Sequence, residues 1–138
     1  MRNDFEQAAV HLDSGLTQIR AASRYDYVPP ALLARAQVQI AAQAYDLAEA
    51  DLNEASSVAG RSGLRLYEID ALLVGARLSL ARRQLDRASS ALEEAREKIG
   101  LVGYRGALAE LVEVEELSRR IQRRDSITSN SADEAPTI

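Results

Sequence analysis

Apolar residues recur along the chain at intervals of three and four, which is the spacing of one face of an α-helix. The first stripe of this kind consists of Phe5, Ala8, Leu12, Leu16 and Ile19. Further stripes follow it, separated by short polar or glycine-containing breaks, and together they predict six helices: 3–22, 29–43, 45–60, 66–83, 85–100 and 105–124. The pattern therefore predicts an all-α fold.

These stripes repeat after forty residues. Phe5, Tyr45 and Leu85 share one register position, and the same offset joins other apolar and small residues: Ala8, Ala48 and Ala88, then Leu12, Leu52 and Leu92. Each period holds two helices, and a fixed period of this length is typical of a stacked helical array. We call the helices predicted over 29–43, 66–83 and 105–124 the first-type helices, and the other three the second-type helices.

The last predicted helix differs from the others because one of its faces is charged. Glu113, Glu116, Arg120 and Arg124 lie opposite its apolar stripe, as in a helix that ends an array and faces water. The residues after it, 125–138, include three acids and no base. We predict a repeat domain over 1–124 and a flexible acidic tail over 125–138.

Composition and charge argue against several classes of function. The chain has no cysteine and one histidine, so we expect no metal site and no cofactor. His11 and the acidic residues, Asp51 among them, fall opposite the apolar stripes, where a solvated surface explains them better than catalysis. We therefore expect no enzyme activity.

The net charge of −4 argues against nucleic-acid binding. The basic run over 119–124 ends a helix whose first part is acidic, an arrangement that complements the helix dipole. An apolar run of signal-peptide or membrane-spanning length is absent from the sequence. We expect a cytoplasmic protein that binds neither nucleic acid nor membrane.

The helical pairs resemble the tetratricopeptide repeat. The resemblance rests on a large and a small residue in each first-type helix, followed by aromatic or large, Ala, Leu and Ala positions in each second-type helix: Leu32, Ala36, Tyr45, Ala48, Leu52 and Ala55, then Leu72, Ala76, Leu85, Ala88, Leu92 and Ala95. The period of forty residues exceeds the usual ~34. Long-period versions are similar to the C-terminal repeat regions of bacterial signal-transducing ATPase regulators. A HEAT-like array is the structural alternative.

The resemblance implies a right-handed α-α superhelix whose concave face, built from first-type helices, binds a protein or peptide. The residues expected to line this face are Leu33, Gln37, Ile40, Ala41, Leu73, Arg77, Leu80 and Ala81. The predicted function is a protein-interaction or sensor module of a larger regulatory protein. Two alternatives stay open: these side chains contact only neighbouring helices, or the chain is a purely structural cap of a signalling ATPase.

The first helix is of the second type, and its first-type partner is missing from the sequence. Its apolar stripe nevertheless includes Phe5, Leu12, Leu16 and Ile19, and burial of each large apolar side chain is worth roughly 1.5–3 kcal/mol. We expect this face to be covered by upstream repeats of a longer chain or, in the isolated chain, by a second copy in a homodimer.

Overall fold

The computed structural model of the chain describes residues 2–21 and 28–133, and their side chains over 4–18 and 28–127. These residues form six α-helices: α1 (Arg2–Ala21), α2 (Val28–Ala41), α3 (Tyr45–Ser62), α4 (Arg65–Ala81), α5 (Leu85–Val102) and α6 (Leu108–Asp133). A short 3-10 helix, Arg105–Ala107, leads into α6. No strand occurs in the described ranges. The prediction of an all-α fold with about six helices is confirmed for this part of the chain.

Each helix packs against the next helix along the chain, and the first-type helices also contact one another. Thus α2 contacts α4, and α4 contacts α6. The buried side chains form two apolar clusters: one joins residues of α1, α2, α3 and α4, and the other joins residues of α4, α5 and α6. Small residues lie at their centre, since Ala36, Ala48 and Ala76 are fully buried, and short side chains let helices approach closely.

Four helices end through a residue in the left-handed backbone region. Gly63 after α3 and Gly103 after α5 have φ of 68° and 71°, a conformation that glycine adopts without steric cost. The turns after α2 and α4 use Gln43 and Arg83 instead, with φ of 63° and 60°. The turns after α2, α3, α4 and α5 therefore each contain a left-handed residue, although only two of these residues are glycine.

The bounds of the last helix differ from the predicted ones. The predicted boundary at Arg124 falls inside α6, which continues to Asp133. Proline and glycine, the residues that break helices most strongly, are absent from 107–135. The side chains over 122–127 are exposed, so this part of α6 extends beyond the packed body. Residues 134–138 lie outside the described ranges.

Asp51 is not on a solvated face, and that prediction was wrong. Its side chain is buried, and both carboxylate oxygens accept hydrogen bonds from Arg35 at 2.6 Å. Arg35 also donates to Asp13 on α1. The charge of Asp51 is thus satisfied by a residue on another helix, which a pattern read within one helix does not detect. His11, by contrast, is exposed as predicted.

Candidate functional site

A groove of about 450 Å³ lies among the three first-type helices α2, α4 and α6. Its walls combine aliphatic side chains, alanines and two arginines. The residues that line it are Gln37, Ile40, Ala41, Arg77, Leu80, Ala81, Arg83, Leu117 and Ile121. The groove is open to solvent along its length, so a segment of another molecule has access to it.

The lining follows the forty-residue register. Gln37, Arg77 and Leu117 occupy one register position on α2, α4 and α6. Ala41, Ala81 and Ile121 occupy a second position, one helical turn further along each helix. Each first-type helix therefore presents the same face to the groove, with a long side chain at the first position and an aliphatic one at the second.

Six of the eight predicted lining residues reach this groove: Gln37, Ile40, Ala41, Arg77, Leu80 and Ala81. Leu80 is only 1% exposed, so it forms part of the floor. Leu33 and Leu73 do not line this groove. They are 5% and 0% exposed, because their side chains pack into the two apolar clusters instead.

Three lining residues lay outside the predicted set: Arg83, Leu117 and Ile121. The register contained a signal for the two on α6, because adding forty to Arg77 and Ala81 gives Leu117 and Ile121. Arg83 lacked such a signal, since its place at the groove depends on the turn that follows α4. Helix α6 is therefore a wall of the groove.

The charges of the lining are the two guanidinium groups of Arg77 and Arg83. Arg77 lies 3.5 Å from Glu110 and 3.5 Å from Glu113, and Arg83 lies 3.8 Å from Asp125. All three acids belong to α6 and stand outside the lining. Long ion pairs between partly exposed groups are worth little, about 0–1 kcal/mol. Either arginine can therefore exchange its intramolecular partner for a carboxylate of a bound molecule.

A second group of ionisable residues lies near the other end of α4. The pKa of Asp70 is raised above 3.8, chiefly by burial and also by the charge of Glu110, while a hydrogen bond with Tyr104 opposes the rise. Burial likewise raises the pKa of the Tyr104 hydroxyl. Because Glu110 also pairs with Arg77, this group borders the charged side of the groove without lining it.

The α1 residues that were expected to contact a second copy or upstream repeats differ in their burial. Phe5 and Leu12 are partly exposed on α1, whereas Leu16 is 1% exposed and belongs to the first apolar cluster. Leu16 is therefore already covered within the chain. The side chain of Ile19 lies outside the described ones. A second cavity of about 510 Å³ separates the first half of α1 from the end of α2 and includes Phe5.

Comparison of the chain with protein-family models, with curated proteins and with solved structures gives no match. Among the described residues, no group of three or more acidic or histidine side chains is placed to hold a metal ion. None of the helices in these ranges is both long enough and apolar enough to cross a membrane. The groove, with its repeated lining, is thus the best-defined candidate site.

Proposed function

We propose that the chain is a cytoplasmic protein-binding or sensor module whose groove holds a helical or extended segment of another protein. The helices are proposed to stack as a right-handed, tetratricopeptide-like superhelix with this groove as its concave face. One observation carries the proposal: equivalent positions of three successive first-type helices line a single solvent-open groove. A surface built by repetition suits a ligand that is itself extended, as peptides and helices are.

The chemistry of the lining favours a segment with apolar side chains and at least one carboxylate. Ile40, Leu117 and Ile121 offer aliphatic surface to the ligand. Arg77 and Arg83 bring two positive charges to the same groove, and the acids that pair with them lie outside the lining. Arginine presents a planar set of donors that matches a carboxylate. We infer that the ligand carboxylate replaces Glu113 or Asp125.

A second candidate function is a structural cap of a larger signalling ATPase. The polar face of α6 favours it. Leu73, Ala76 and Leu80 of α4 pack onto α5, but the residues forty further on are Glu113, Glu116 and Arg120. A helix with charges at these positions ends an array. In this alternative the groove has no ligand, so binding measurements separate the two candidates.

Selection of peptides from a displayed random library on the intact chain tests the proposal. The diagnostic variant is Ala81→Glu, which places a carboxylate at an exposed position inside the groove. The matched control is Ala50→Glu, which makes the same change at an exposed position of α3 away from the groove. Both variants are expected to keep the circular dichroism spectrum and melting temperature of the parent chain.

We expect the selected peptides to carry apolar and acidic residues and to lose at least about tenfold in affinity with Ala81→Glu, which is 1.4 kcal/mol. Ala50→Glu is expected to leave their affinity unchanged. Arg77→Ala should weaken the acidic peptides and make the remaining binding less sensitive to salt. Selected peptides that bind Ala81→Glu as well as the parent chain would contradict a site in the groove, and failure to select any peptide would favour the cap.

A further inference from the structure

Helix α5 shows how a second-type helix packs against its own first-type partner. Its residues Ala88, Leu92, Ala95 and Ile99 share an apolar cluster with residues of α4. The α4 residues in this cluster are Ile69, Leu73, Ala76 and Leu80. The contact joins two complementary stripes, one with small residues that let the helices approach and one with larger aliphatic side chains. It is a complete example of the hairpin interface in this chain.

Helix α1 carries the same stripe as α5. Subtraction of eighty from the α5 positions gives Ala8, Leu12, Gly15 and Ile19, which differ from their equivalents only by glycine in place of Ala95. The sequence therefore specifies a face on α1 for a helix like α4.

This face of α1 is less buried than its equivalents on α3 and α5. Ala48, Leu52 and Ala55 of α3 are 0%, 7% and 0% exposed, and the matching α5 residues are 0%, 6% and 0% exposed. The equivalent positions of α1, which are Ala8, Leu12 and Gly15, are only partly buried. A methyl group added to Gly15 would meet no neighbouring atom within 4 Å. Among the described residues, the space beside Gly15 is thus open.

Two α1 residues outside this stripe contact α2. Leu16 is the α1 side chain buried in the first apolar cluster, and Asp13 pairs with Arg35 of α2. In the register, positions 13 and 16 correspond to Asn53 and Ser56, which lie where α3 meets α4. Leu16 and Asp13 thus contact α2 from positions that lie beside the stripe of Ala8, Leu12 and Gly15 rather than within it.

Helix α6 of a second copy is not suited to cover this face of α1. Head-to-tail association would place α6 of a second copy on α1, since α6 is the first-type helix without a following partner. Its hairpin positions, however, are Glu113, Glu116 and Arg120 in place of the leucines and alanine of α4. Burial of these charges against Ala8 and Leu12 would be unfavourable without partners.

We propose that the face formed by Ala8, Leu12 and Gly15 is a docking site for one amphipathic helix of a partner, with aliphatic and small residues spaced as in α4. The partner helix has large aliphatic residues at relative positions 1, 5 and 12 and a small residue at position 8, as Ile69, Leu73, Leu80 and Ala76 do. It completes a hairpin with α1 in the way that α4 does with α5. In the isolated chain, a second copy can cover this face in place of the partner helix. The partner helix then displaces the second copy when it binds.

Grafting such a helix onto the intact chain tests the proposal. A copy of residues 64–84 is placed directly before Phe5, replacing residues 1–4, because Phe5 is the register equivalent of Leu85. The control graft carries Leu73→Glu and Ala76→Glu in the added copy alone. Two point variants are combined with the graft: Ala8→Glu on the proposed face, and Val10→Glu at a position that is exposed in α1 and also at its equivalents in α3 and α5.

We expect the graft to raise the melting temperature by at least about 5 °C and to yield a monomer by light scattering. The control graft and Ala8→Glu should abolish the rise, and Val10→Glu should preserve it. A melting temperature that the graft leaves unchanged, or that the control graft raises equally, would overturn the proposal. It would also be overturned if the ungrafted chain is a dimer that Ala8→Glu dissociates but the graft leaves intact, because a second copy would then be the true occupant.

Discussion

The guanidinium group of Arg35 donates hydrogen bonds to both carboxylate oxygens of Asp51, each at 2.6 Å. The same group donates a further hydrogen bond to Asp13 on α1. One arginine of α2 thereby connects three helices. The pair is specific to this hairpin, because the register equivalents of Arg35 and Asp51 in the next one are Gly75 and Ala91. The pKa of Arg35 is raised, mainly by the hydrogen bond with Asp51.

Asp51→Asn is expected to lower the free energy of unfolding by about 1–3 kcal/mol, because it leaves a partly buried guanidinium group with a weaker partner. Asp13→Asn should cost less than about 1 kcal/mol, since the Asp13 side chain is 58% exposed and its charge is screened by water. Urea unfolding of the two variants measures both values. Equal losses would contradict the view that Asp51 is the principal partner of Arg35.

The second prediction concerns Asp70 and pH. Burial and Glu110 raise the pKa of Asp70 above 3.8 in the folded chain, so the unfolded chain releases this proton at a lower pH than the folded chain does. The contribution of Asp70 to stability therefore falls as pH rises from its ordinary pKa through the raised one. Asp70→Asn removes this loss and keeps an oxygen that accepts a hydrogen bond from Tyr104.

We expect Asp70→Asn to be more stable than the parent chain at pH 7 and equally stable below about pH 3, where both side chains are neutral. Thermal unfolding across this pH range measures the difference. A variant less stable than the parent chain at neutral pH would show that the ionised carboxylate contributes favourably.

The third prediction concerns the turn after α2. Gln43 has a φ of 63°. This conformation costs a residue with a Cβ atom roughly 1–2 kcal/mol. Glycine avoids that cost, but part of the gain is offset because glycine gives the unfolded chain more conformational entropy. Gln43→Gly is therefore expected to stabilise the chain by about 0.5–1 kcal/mol. Gly63→Ala, at a φ of 68°, should destabilise it by a similar amount. Chemical denaturation measures both, and a loss of stability with Gln43→Gly would contradict the prediction.

The fourth prediction separates the core from the groove. Leu73 is 0% exposed inside the second apolar cluster, so Leu73→Ala should lower the free energy of unfolding by about 2–5 kcal/mol. Ile40 is only partly buried and lines the groove, so Ile40→Ala should cost distinctly less. Urea unfolding compares the two. A small loss for Leu73→Ala would contradict the burial of this side chain in the second apolar cluster.

The helices and their register could be predicted from the sequence because both depend on spacing along one segment. The apolar intervals of three and four located all six helices, and the forty-residue offset identified Gln37 and Arg77 as equivalent positions. The end of α6 was harder to place, since residues 125–133 lack both an apolar stripe and a strong helix breaker.

The burial of Leu33, Leu73 and Asp51 was harder to predict, because it depends on residues of other helices. Helix α4 is apolar over a wide arc, so its sequence does not say which leucines face α5 and which face the groove. Leu73 and Leu80 lie seven residues apart on nearly the same side, yet only Leu80 reaches the groove. The burial of Asp51 likewise depends on Arg35, sixteen residues before it.

Helix α4 has one side in each of the two apolar clusters: Ala71, Val74 and Leu78 belong to the first, and Leu73, Ala76 and Leu80 to the second. Opening of either cluster alone leaves α4 anchored on its other side. Its amide protons should therefore exchange with solvent only when both clusters open, and so more slowly than those of α1 or α6. Because it is shared by both clusters, α4 is expected to be the last helix to lose its protection as the chain unfolds.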